Sequence, residues 1–73
     1  MKKTIEETFK IGDDLWEIVK QVFENENKMR TEVKYYVHKN GENITYLLTS
    51  GYTHCDDIHS AREVVLLSYI VVG

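Results

Sequence analysis

Residues 33–48, VKYYVHKNGENITYLL, decide the fold that the sequence predicts. Asn40-Gly41 at the centre of this stretch is the preferred filling of a type I′ turn, because both central residues of such a turn need positive φ. A two-residue turn there gives three apolar cross-strand pairs on one face: Val37 with Ile44, Tyr35 with Tyr46, and Val33 with Leu48. A one-residue slip would move this whole set to the opposite face. The sequence therefore predicts an antiparallel hairpin with strands at 29–39 and 42–49.

Length and composition describe one small domain. The 73 residues lie near the lower limit at which a hydrophobic core folds without a metal or disulfide. The net charge of -3 argues against a general nucleic-acid binder, since that class carries a basic stripe. The single cysteine cannot form an internal disulfide, and the first residues lack the apolar run of a signal peptide. We expect a cytoplasmic protein with no membrane role, because the apolar stretch 64–72 is too short to span a bilayer.

Other segments carry weaker secondary-structure signals. Residues 15–23 fit both helical and strand spacing, and the bend at Gly12 together with the short polar loop after them favours a strand. Ser60-Ala61-Arg62-Glu63 has the S-x-x-E form of a capping box, which predicts a short helix beginning at Ala61. Residues 69–72 are rich in β-branched side chains and predict a strand, although the path of 69–73 stays open.

Several short motifs follow one another along the chain. They are Phe9-Lys10-Ile11-Gly12-Asp13, Leu15-Trp16 with Ile18, Lys39-Asn40-Gly41, Ile44-Thr45-Tyr46, Gly51-Tyr52, Asp56-Asp57-Ile58 and Ser60-Ala61-Arg62-Glu63. Their order resembles small bacteriophage and mobile-element proteins that open with F-K-I-G-D-x-V-W and are read as SH3-like barrels. The chain departs from that pattern at Leu15, where valine is usual, and in its apolar C-terminal stretch. The resemblance implies a protein that binds and disables a host or defence component, as anti-CRISPR inhibitors do, and it implies no catalytic residues.

No set of residues predicts catalysis or a cofactor. A metal site could be drawn only from His54, Cys55, His59, Asp56, Asp57 and the distant His38. One cysteine fits a zinc site poorly, and adjacent strand residues point to opposite faces, so we expect a buried thiol and solvated histidines. Whether His54, Cys55 and His59 bind metal stays open. The sequence predicts no enzyme and no cofactor, and it assigns no residue as a metal ligand.

Exposed aromatic residues are the best candidates for binding a partner. In the predicted register Tyr36 lies on the outer face of the hairpin, and flat rings give a large contact area at a small entropy cost. The predicted partner-binding residues are Tyr36, Leu47, Tyr52, Lys34, Asp13, Asp14 and Glu17. The three acidic residues suit a basic surface on the partner. Two alternatives are that the C-terminal element covers this face, or that a homodimer forms through it.

The sequence thus predicts a mainly β fold, a single SH3-like barrel of about five strands over residues 1–73 with one short C-terminal helix. The alternative is an α+β fold with a helix packed on the hairpin sheet, in which residues 14–24 are helical. The predicted core is Trp16, Ile18, Val33, Tyr35, Val37, Ile44, Tyr46, Leu48 and Val64.

The predicted function is that of a non-enzymatic phage or mobile-element protein that binds and modulates a host or defence protein in the host cytoplasm. The alternative is a small nucleic-acid-binding module built from exposed tyrosines and basic residues. Its residues would be Lys28, Arg30, Lys34, Lys39, Tyr36 and Tyr52.

Overall fold

The described residues form an open antiparallel sheet with a helix packed on it. The computed structural model describes residues 2–25, 30–49 and 51–72. In chain order the elements are β1 (Lys2–Ile11), β2 (Asp14–Asn25), β3 (Arg30–Lys39), β4 (Glu42–Asn43), α1 (Thr45–Leu48) and α2 (Ile58–Val72). The strands lie in the order β1-β2-β3-β4. The chain is therefore mainly β in the α+β arrangement, with residues 15–23 in a strand as expected and the helix supplied by the C-terminal segment.

The Asn40-Gly41 turn is confirmed, but the hairpin is shorter than predicted. Asn40 and Gly41 have φ angles of 52° and 84°, and the pairs His38–Asn43 and Lys39–Glu42 have the predicted register. The ladder ends at Ile44, whose N–H donates to the Val37 carbonyl at 3.0 Å. The predicted pairs Tyr35–Tyr46 and Val33–Leu48 are wrong, because residues 45–48 form α1.

Thr45 explains why the strand stops. Its hydroxyl accepts the Val37 N–H at 2.8 Å, where a continuing strand would offer a carbonyl. Asn43 Oδ1 accepts both the Thr45 N–H at 3.1 Å and the Thr45 hydroxyl at 2.8 Å, which turns the chain away from β3. Cys55 then takes the place beside Tyr35 that residue 46 was predicted to fill, through backbone hydrogen bonds of 3.0 and 2.8 Å.

The short β4 also explains why the sheet does not close. A strand of two residues cannot extend along β3 and return to β1. Among the described strands, none pairs with the outer edge of β1. The described residues therefore form an open sheet of four strands, and the closed barrel of about five predicted strands is not seen in them.

Helix α2 differs from its prediction at both ends. Asp57 Oδ1 accepts the Ser60 N–H at 2.7 Å, so Asp57 and not Ser60 caps a helix that begins at Ile58. The predicted strand at 69–72 is wrong, because these residues continue the helix to Val72. Extending a formed helix adds one hydrogen bond per residue, which outweighs the small propensity cost of β-branched side chains. Residue 73 lies outside the described residues.

Helix α2 packs on one face of the sheet and creates the core. The buried cluster comprises Trp16, Ile18, Val37, Cys55, Ala61 and Val65, with Tyr35, Ile44, Leu48 and Val64 partly buried against it. Two predicted core residues, Val33 and Tyr46, are exposed instead. Val33 belongs to the hairpin pairs that do not form, and Tyr46 lies on α1. None of the helices in the described ranges combines the length and apolar character needed to cross a membrane.

Candidate binding surfaces

The sheet has two unlike faces. On the face covered by α2, the cross-strand row Glu7–Ile18–Val37 lies under the helix. On the opposite face, Ile5 pairs with Val19 and Val19 pairs with Tyr36, so the three form an apolar row. Neither described helix packs over this row, and we call this side the open face. Within this row Val19 is only 7% exposed, whereas Ile5 is 57% exposed.

Three of the predicted binding residues lie together on the open face. Tyr36, Lys34 and Glu17 share it because residues at alternate positions of a strand face the same side. The Lys34 ammonium lies 5.2 Å from the Phe23 ring centroid and 3.9 Å from a Glu32 carboxylate oxygen. The open face is therefore apolar along its middle and carries charges of both signs beside the apolar row.

The open face continues around the β3 edge through His54. The His54 ring lies 6.5 Å from the Tyr36 ring, with the planes inclined at 55°. His54 also lines a shallow groove with Tyr52 and Thr49. Tyr52 is therefore linked to Tyr36 through one histidine, although the two tyrosines are distant in the sequence.

Leu47 and Tyr52 are strongly exposed, at 74% and 73%. Tyr46, which was predicted to be buried, is 61% exposed beside Leu47. Thr49 Oγ1 lies 2.7 Å from the Thr45 carbonyl oxygen and 2.8 Å from that of Tyr52, so the connection carrying these side chains is held in place. Sequence reasoning missed Tyr46, because the hairpin pattern placed it inside.

The two predicted aspartates lie at the β1–β2 turn and have different surroundings. Asp14 Oδ1 accepts the Asn40 side-chain amide at 2.9 Å, and the Lys39 ammonium lies 3.7 Å from Asp14 Oδ2. Asn40 Oδ1 in turn accepts the Leu15 N–H at 2.9 Å. Asp14 thus joins the two hairpin turns, while Asp13 stands exposed in its own turn. Of the two, Asp13 has the carboxylate better placed for a partner.

The residues of the metal alternative do not converge on one point. His54 Nε2 lies 3.4 Å from Asp56 Oδ1, but Cys55 is buried in the core on the side covered by α2. Burial raises the pKa of the Cys55 thiol, and the charges of Asp56 and Asp57 raise it further. Within the ranges described, no group of three or more His, Cys, Asp or Glu side chains could hold a metal.

Two of the cations predicted for nucleic-acid binding lie beside carboxylates of this chain. Lys39 lies beside Asp14 and 5.4 Å from the Trp16 ring centroid, and Lys34 lies beside Glu32. Lys28 lies outside the described residues. The remaining cation of that set, Arg30, is exposed at the far end of β3. These positions do not form a basic stripe of the kind that follows a phosphate backbone.

A second surface, which sequence reasoning missed, lies between β1 and α2. An open groove of about 570 Å³ runs there, with Phe9, Ile11, Val65 and Leu66 among its lining residues. The Arg62 guanidinium crosses one end and donates to the Glu7 carboxylate. The signal that could have found it is the alternation of Phe9 and Ile11 with polar residues in β1.

Comparison of the chain with protein-family models, curated proteins and solved structures gave no match.

Proposed function

We propose that this chain is a non-enzymatic binding protein of a phage or mobile element, and that its open face contacts a host or defence protein. The observation that carries the proposal is the apolar row Ile5–Val19–Tyr36, which neither described helix covers. Apolar patches bordered by polar residues are typical of interaction sites. Tyr36 and Tyr52 suit this role, since tyrosine is enriched at interface cores.

The geometry of the sheet favours tight and selective binding. Side chains on a three-strand platform have restricted rotamers, so little conformational entropy is lost when a partner packs on them. Lys34 and Glu17 lie beside the apolar row and would select a partner with complementary charges. The exposed Leu47 and Tyr52 would extend the contact past the β3 edge.

The phage or mobile-element origin, the SH3-like relationship and the inhibitory role are proposed from the order of the sequence motifs. The bridge between Tyr35 and Cys55 supports the SH3-like relationship in one respect, because it adds a further chain segment to the β3 edge. Binding with inhibition of a host or defence protein would need only a surface of this kind and no catalytic group.

The test is capture of partners from bacterial lysate by the tagged chain, with and without nuclease. The decisive variant is Ile5→Ser on the open face, and its matched control is Leu67→Ser on α2, because the two side chains are 57% and 60% exposed. We expect one protein to survive nuclease, to be lost with Ile5→Ser and to be retained with Leu67→Ser.

Two outcomes would overturn the proposal. Recovery of nucleic acid alone, or of partners that disappear with nuclease, would favour the nucleic-acid-binding module. Concentration-dependent self-association that Ile5→Ser abolishes, with no captured protein, would assign the open face to a homodimer. Thermal melting of both variants shows whether a loss of capture reflects unfolding.

A further inference from the structure

The outer edge of β1 has backbone groups available for another strand. The turn between β1 and β2 has Gly12 at φ 62°, and Ile11 and Asp14 form the pair that closes it. In a hairpin with a two-residue turn the closing pair is hydrogen-bonded, and bonded residues then alternate. Phe9 and Ile11 therefore direct their N–H and C=O groups toward β2. Thr8 and Lys10 direct theirs outward, where no described strand pairs with them.

The groove beside this edge is shaped for side chains of such a strand. Phe9 lies on the face covered by α2, opposite Trp16, and Val65 and Leu66 of the helix line the other wall. A residue of an added strand opposite Phe9 would occupy a non-hydrogen-bonded position, where facing side chains come closest. The groove would thus receive apolar side chains at alternate positions of an added strand.

The charges near the edge favour an acidic occupant. The residues near this edge include four cations, Lys2, Lys3 and Lys10 of β1 and Arg62 of α2, and two carboxylates, Glu6 and Glu7. The net charge of the whole chain, by contrast, is -3. Glu7 is bound to Arg62, and no ion pair among the described residues includes Lys10. Lys10 alternates with Phe9 along β1, so its side chain lies on the other side of this edge from the groove. A carboxylate at the facing position of an added strand, between the apolar residues that enter the groove, would meet this unneutralised ammonium.

We propose that the β1 edge binds an extended segment of a partner protein as an added strand. The segment carries apolar residues at alternate positions, which enter the groove between β1 and α2, and an acidic residue that meets Lys10. The groove lies on the side of the sheet opposite the open face, and the proposal does not depend on the function proposed for that face.

The probe is a displayed library of random peptides about ten residues long, the length of a strand that could follow β1. The library is selected against the intact chain, and the best peptide is then synthesised and titrated. The decisive variant is Thr8→Pro, which removes an outward N–H without removing a bond to β2, and the matched control is Thr8→Ala. Proline is tolerated at such an edge position, and melting followed by Trp16 fluorescence verifies folding.

We expect selected peptides to alternate apolar residues and to contain Asp or Glu. Thr8→Pro should weaken binding about tenfold or more relative to Thr8→Ala, as loss of a main-chain hydrogen bond predicts. In the unaltered chain, the peptide should slow amide exchange at Thr8 and Lys10. This last measurement decides the matter if Thr8→Pro does not fold.

The proposal is overturned if no peptide is enriched, if enriched peptides show no alternation, or if the Thr8 and Lys10 amides exchange equally fast with peptide bound. It is also overturned if bound peptide perturbs Tyr36 and Ile5 instead, since it would then lie on the open face. Failure here leaves the lysate result with Ile5→Ser unchanged, so the two proposals fail separately.

Discussion

One hydroxyl group decides where the second hairpin ends. Thr45 is fully buried, and its Oγ1 accepts the Val37 N–H in the core. Thr45→Val keeps the shape of the side chain but leaves this N–H unpartnered, so the free energy of unfolding should fall by about 1–3 kcal/mol. Chemical denaturation measures the loss, and amide exchange at Val37 should accelerate.

Thr45→Ser is the matched control for that change. It keeps the hydroxyl and removes one methyl group, so we expect a smaller cost of about 1 kcal/mol. The Val37 amide should stay protected in this variant. A Val37 amide that is equally protected in Thr45→Val would contradict the role assigned to the hydroxyl.

At the residue scale, the sequence pattern predicts the turn at Asn40-Gly41 but not the role of Thr45. Asn40-Gly41 was predictable, because few residue pairs accept two positive φ angles in succession. The role of Thr45 was not predictable, since a run of Ile, Thr, Tyr and Leu has strand propensity. The competing hydrogen bonds that Thr45 donates to Asn43 Oδ1 depend on a three-residue local geometry. The predicted burial of Tyr46 failed for the same reason.

At the scale of elements, the two ends of the chain are joined by one ion pair. Arg62 of α2 donates to both carboxylate oxygens of Glu7 in β1. The sequence did not predict β1 as a strand, because Glu7 interrupts the alternation of Ile5, Phe9 and Ile11. In the structure the register shifts between Ile5 and Glu7, and this bulge places Ile5 on the face opposite Phe9 and Ile11. The S-x-x-E motif predicts that α2 begins at Ala61. The structure instead uses Asp57, a charged acceptor nearer the N-terminus.

The same ion pair predicts a dependence of stability on pH. The hydrogen bond from Arg62 holds the pKa of Glu7 below its usual value of 4.5. The folded state therefore binds fewer protons at this site than the unfolded state. The resulting stabilisation is present above the unfolded pKa and is lost as pH falls through the lowered folded pKa. The melting temperature of Glu7→Gln should lie below that of the unaltered chain at neutral pH, and the difference should shrink below pH 4.5.

Glu6→Gln is the control for this titration, because Glu6 is the adjacent carboxylate and is exposed. We expect its melting temperature to follow that of the unaltered chain across the acid range. A difference between Glu7→Gln and the unaltered chain that stays constant with pH would exclude the ion pair as its source.

At the scale of the whole molecule, the arrangement of layers was the least predictable property. Barrel closure depends on pairing between strands distant in sequence, and here it depends on the length of β4. The placement of Tyr36 and Lys34 on one face followed from strand periodicity alone. Glu17 joins them through the pairing of β2 with β3, which the sequence did not predict. The placement of Leu47 and Tyr52 did not follow from periodicity, because both lie in the connection that replaces the predicted strand.

The two faces should therefore respond differently to the same truncation. Ile18 is fully buried under α2, so Ile18→Ala should lower the free energy of unfolding by about 2–5 kcal/mol. Ile5 lies on the neighbouring strand but on the open face, and Ile5→Ala should cost less than about 1 kcal/mol. Chemical denaturation of both variants gives the comparison. Equal costs would mean that Ile5 is already enclosed in the isolated chain, for example by a second copy, and that its side chain is not available to another partner.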